Sequence, residues 1–66
     1  METAGNLIVL TTEIGNASPI AVALDRLRVE GVIATVAGDD TVLAVVADGF
    51  SAPAIRDRIW GLIQGG

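Results

Sequence analysis

The feature that most constrains this chain is how much aliphatic surface its 66 residues must hide. Hydrophobic residues make up 52% of the sequence and aromatic residues 3%, so the apolar mass is Val, Ile, Leu and Ala. One face of a small sheet cannot cover that much, and a second buried surface is expected. A domain of this size is marginal alone, because it buries only about 60% of the surface its unfolded chain exposes. Such domains are usually reinforced by disulfides, metals or partners. Cysteine and histidine are both absent. That removes a disulfide framework, thiolate metal sites and the commonest general base. Self-association is the reinforcement that remains, and no metal site is expected.

Charge narrows the partners. The net charge is −4, with Arg26, Arg28, Arg56 and Arg58 as the basic residues. An acidic surface is repelled by a phosphate backbone, so direct nucleic-acid binding by this chain is not expected. The opening Met1-Glu2-Thr3-Ala4-Gly5 is polar and lacks the basic start of a secretory leader. The strongly apolar run Val42 to Ala47 is far too short to span a bilayer. These features point to the cytoplasm and away from membranes.

The residue pattern gives a β-α-β-β-α order in one domain covering 1–66. Leu7 to Thr12 is an unbroken β-branched run, as in a strand buried on both faces. Asn16 to Arg28 reads as a helix, capped by Asn16 or Ser18, with Pro19 in its first turn. Its apolar stripe is Ile20, Ala23, Leu24 and Leu27. Val32 to Ala37 and Thr41 to Ala47 are strands joined by Gly38-Asp39-Asp40, a hairpin signal. Ser51 caps a second helix with Pro53 in its first turn and a stripe of Ile55, Ile59, Leu62 and Ile63. Trp60 lies beside that stripe as packing. The expected fold is α+β in two layers, both helices on one face of a small sheet. The other face is then buried against further copies of the chain.

Catalytic chemistry has little support. No nucleophile stands beside a base, and a chain this short can hardly build a cleft around an aspartate pair. The chain is therefore read as not an enzyme. The one polar cluster is Gly38-Asp39-Asp40-Thr41. Gly and Asp are ordinary turn residues. Two adjacent carboxylates at a tip also suit a cation or a cationic ligand, while Ca²⁺ or Mg²⁺ would need more oxygen ligands. Asp25, on the polar side of its helix, is an ordinary solvated position by itself.

The stretch Val32-Ile33-Ala34-Thr35-Val36-Ala37-Gly38-Asp39-Asp40-Thr41, with Asn6 to Thr12 and Gly15-Asn16-Ala17 upstream, resembles the C-terminal domain of the bacterial arginine repressor family. The likeness runs from about Gly5 to Leu62. It implies trimers that stack into hexamers, with L-arginine as corepressor at the trimer–trimer interface. It also implies DNA binding through a separate winged helix-turn-helix domain. By position, Asp39 and Asp40 match the aspartates that bind the cationic groups of arginine. Asp25 matches a helix aspartate facing the same site. Ser18 falls where relatives have a ligand-touching glutamine, and Thr35 and Ala37 match positions offering main-chain polar groups. Ala34 stands where the family has glycine. Residues 1–5 are either disordered or the remnant of a preceding strand. The alternative reading is a purely structural trimerisation module without ligand.

Overall fold

The computed structural model describes residues 1–65. Its elements are β1 (Glu2–Ala4), β2 (Leu7–Thr11), α1 (Ala17–Leu27), β3 (Val32–Ala37), β4 (Thr41–Val46) and α2 (Ala52–Gly65). The strands form one antiparallel sheet in the order β1-β2-β4-β3. The fold is α+β in two layers. The order gains one strand over the expected β-α-β-β-α. Residues 2–4 are neither disordered nor detached, because Glu2 pairs with Val9 and Ala4 with Leu7 across the turn Gly5-Asn6. Glycine followed by asparagine between two short runs is a hairpin signal.

The core lies between sheet and helices. Ile8 faces Ala44 and Leu10 faces Val42 across β2 and β4. These side chains, with Val46, are buried beneath Ala17, Ala21 and Leu24 of α1 and Ala52, Ile55 and Ile59 of α2. The largest fully buried side chains are Ile8, Ile59, Val42 and Val46. Each contributes roughly 1.5–3 kcal/mol by leaving water. β2 was expected to be buried on both faces. Within the single chain it alternates instead, with Ile8 and Leu10 buried and Leu7 and Val9 half-buried. The opposite face of the sheet carries the aligned pairs Leu7–Val45 and Val9–Leu43, with Val36 beside Leu43. No other element of the described chain covers it.

The buried face of α1 is displaced from the expected stripe, sharing only Leu24 with it, and that of α2 is shorter than its spacing suggested. In α1 the buried set is Ala17, Ala21 and Leu24, while Ala23 is exposed and Leu27 is 46% exposed. In α2 Ile55 and Ile59 are buried, but Leu62 and Ile63 are 43% and 53% exposed. A 14-residue helix runs about 21 Å, whereas three-residue β1 beneath it spans only about 10 Å. The last turn of α2 therefore outlasts its support. The two helices leave an apolar groove of about 540 Å³, whose lining includes Ile20, Ala23, Leu27, Trp60 and Ile63. Trp60 is half-exposed on its rim and is not a core residue.

The helix ends differ from each other. Ser51 caps α2, its Oγ accepting the Ala54 N–H at 3.3 Å. Asn16 occupies the N-cap position of α1 but makes no side-chain capping bond, and Ser18 lies inside the first turn. The cap expected from Asn16 or Ser18 is therefore not made. Asn16 has a helical backbone (φ −99°, ψ 0°), rather than the extended one that turns a cap side chain toward the next N–H groups. α1 stops at Leu27, one residue short of the expected Arg28, because Arg28 adopts a left-handed conformation and its N–H donates to the Asp25 carbonyl.

Candidate functional site

The hairpin between β3 and β4 presents Asp39 and Asp40 at its tip, both exposed. The Gly38 N–H donates to the Thr41 carbonyl at 2.7 Å and closes the turn. Gly38 does so at a negative φ. A Cβ there would meet only the Thr41 carbonyl oxygen, at an ordinary 3.7 Å. Glycine's left-handed freedom is therefore not what shapes this tip.

The tip is held from outside instead. β2 and β4 pair Thr11 with Thr41, and the ladder continues one step as the Thr12 N–H donates to the Asp40 carbonyl at 2.6 Å. The Gly15 N–H then donates to the Asp39 carbonyl at 2.9 Å. Both aspartates thus spend their main-chain oxygens on the loop that leads into α1, leaving their side chains to solvent. The Thr41 hydroxyl donates to Asp40 Oδ1 at 3.1 Å. Among the described residues the Asp39 carboxylate accepts no hydrogen bond, and neither aspartate pairs with a cation. The ion pair found there is Arg56–Asp57, between neighbours on α2.

Asp25 is placed by a different contact. The Thr35 hydroxyl donates to Asp25 Oδ1 at 2.9 Å, joining α1 to β3. Asp25 also lines a largely polar cavity of about 420 Å³ with Arg28, Val32 and Ala34. Ala34, the position where the resemblance anticipates glycine, is one of the residues lining that cavity.

The structure therefore brings the sequence-derived residues into two linked groups. Asp39 and Asp40 stand at the tip, with Ala37 at the end of β3 just before it. Asp25 and Thr35 are bonded further along β3, Thr35 lying two residues before Ala37 on the same, helix-facing side of the strand. Ser18 is exposed in the first turn of α1, three positions after Gly15. It makes no hydrogen bond to the others among the described residues. Thr12 and Gly15 are not among the site residues that the sequence singled out. Gly15 stands just before the N-cap position of α1, and no local signal ties it or Thr12 to the β3–β4 hairpin. No group of three or more His, Cys, Asp or Glu that could hold a metal occurs among the described residues. No described helix is long and apolar enough to cross a membrane.

A family model described as the arginine repressor C-terminal domain matches residues 1–60. The arginine repressor of Thermus thermophilus is 44% identical over 66 residues, all of this chain and 40% of that protein. That of Desulfitobacterium hafniense is 49% identical over 59 residues, 89% of this chain and 39% of the relative. That of Staphylococcus carnosus is 46% identical over 63 residues, 96% and 42%. The chain thus spans about two fifths of the length of these relatives. Identity at this level, with one domain model matching residues 1–60 of 66, is decisive: the chain belongs to the arginine repressor C-terminal domain family.

Proposed function

We propose that this chain is the ligand-sensing oligomerisation domain of a transcriptional regulator of arginine metabolism, acting in the cytoplasm. Copies pack as trimers through the uncovered sheet face around Leu7, Val9, Leu43 and Val45. Two trimers then meet through their Asp39-Asp40 tips, with L-arginine between them as corepressor. DNA is contacted by another part of the regulator and not by this acidic domain.

One observation carries the reading. Asp39 and Asp40 expose two carboxylates without cationic partners among the described residues, on a tip whose main chain is bonded to Thr12 and Gly15. A fixed pair of carboxylates suits a guanidinium, which can be bound by two parallel hydrogen bonds, and this selects arginine over lysine. Asp25, Thr35, Ala37 and Ser18 are assigned to the rest of the ligand's polar groups, Ser18 through water because its side chain is short.

Charge supplies the coupling. Six copies at −4 apiece carry −24, and six bound arginines at +1 bring this to −18. Ligand places cations where carboxylates of facing trimers would otherwise repel. It therefore stabilises the closed assembly by mass action and by relief of that repulsion. Titration of the chain with L-arginine in a calorimeter tests the reading. Saturable heat that lysine does not reproduce is expected, and its absence refutes ligand sensing and leaves the purely structural module.

A further inference from the structure

We infer that Gly15 is the positioning residue of the arginine site, presetting the Asp39-Asp40 tip through its own backbone. The inference rests on the arginine-binding reading and adds a residue that touches no ligand.

Three observations converge on Gly15. Its N–H donates to the Asp39 carbonyl at 2.9 Å, one of two bonds fastening the tip to the 12–16 loop. Its φ is +86°, a region that L side chains rarely adopt. A Cβ built on it meets nothing within 4 Å. Glycine is therefore required there by backbone conformation alone and not by space. An L-residue is drawn toward negative φ, which rotates the N–H away from Asp39 and releases the tip. With the Asp39 carbonyl free, the two carboxylates no longer hold one spacing, and a fork-shaped cation finds its partners misaligned. The same loop opens α1 through Asn16, so the tip and the first turn bearing Ser18 are set by one clamp.

The chain contains its own control. Gly49 also has a φ of +86° and open space where a Cβ would stand. It lies in the turn after β4, at the far end of a six-residue strand from the tip, roughly 20 Å away. Gly15→Ala and Gly49→Ala thus impose the same strain in two places, and only one of them is on the clamp.

The test measures L-arginine affinity by calorimetry and amide hydrogen exchange by NMR on the parent chain and both variants. A chemically synthesised Gly15→D-Ala chain is added, since D-alanine accepts positive φ while carrying the same methyl group. Left-handed backbone disfavours an L-residue enough to shift an equilibrium about fivefold to thirtyfold. Gly15→Ala is expected to weaken arginine binding by about that factor, Gly49→Ala to leave it unchanged, and Gly15→D-Ala to restore it. Equal affinity in Gly15→Ala and the parent, or equal weakening by Gly49→Ala, overturns the positioning role. A parent chain silent to L-arginine overturns the ligand reading instead. The clamp is then judged by exchange: Gly15 and Thr12 amides protected in the parent and released in Gly15→Ala sustain it, and unchanged exchange overturns it.

Discussion

Replacing Asp39 by asparagine isolates the chemistry of the site from its architecture. The carbonyl that accepts the Gly15 N–H belongs to the main chain, so Asp39→Asn leaves the clamp in place. Asparagine is also a favourable turn residue. The position is exposed, so folding stability should change by no more than about 0.5 kcal/mol. What is lost is one negative charge and one half of a charge-assisted fork. Hydrogen bonds to charged groups are worth about 1.5–3 kcal/mol, so affinity should fall about ten- to a hundredfold. Asp40→Asn should cost less. Asp40 already gives one oxygen to the Thr41 hydroxyl, a bond the asparagine oxygen can keep, whereas Asp39 offers both oxygens to a ligand. Calorimetric titration at fixed salt measures both values, with thermal melting as the control for folding. Unchanged affinity in both variants refutes the assignment of the tip as the arginine site. A larger loss for Asp40→Asn refutes the ranking drawn from the Thr41 contact.

Three further outcomes follow from the packing. Gly31 has a φ of +95°, and a Cβ there would stand 2.7 Å from the Phe50 ring, so Gly31→Ala combines strain with a clash. It should lower stability by about 2–4 kcal/mol, read as a drop in melting temperature of roughly 15–30 °C at fixed chain concentration. Leu43→Lys places a charge in the middle of the uncovered sheet face, which should yield monomers with unchanged helix content, seen by light scattering and circular dichroism. Thr35→Val removes the hydroxyl that holds Asp25, and urea unfolding should show a loss of about 0.5–1 kcal/mol because the bond is solvent-exposed.

Strand positions were the most legible part of the fold. β3 begins and ends where its apolar run does, and the Gly38-Asp39-Asp40 turn made the hairpin plain. β1 was left between disorder and the remnant of a strand because three residues carry little pattern, and its pairing with β2 decides for the strand. The helix stripes were legible in period, but not in which face of α1 is buried nor in how far the buried face of α2 extends. Spacing marks Leu62 and Ile63 as apolar, whereas burial depends on how far the short β1 reaches beneath α2. The site divides in the same way. Asp39 and Asp40 could be picked out because adjacent carboxylates at a tip are visible in one dimension. The bond from Thr35 to Asp25 and the support from Thr12 and Gly15 join residues distant in sequence, so no local spacing rule reveals them.

If this chain senses arginine as proposed, L-arginine tightens an assembly of these domains through the Asp39-Asp40 tips. Sedimentation of the chain with and without L-arginine tests it most directly. Three copies are expected without ligand and six with it, and no such shift for Asp39→Asn at the same arginine concentration. An unchanged sedimentation coefficient on adding saturating L-arginine to the parent chain would contradict it.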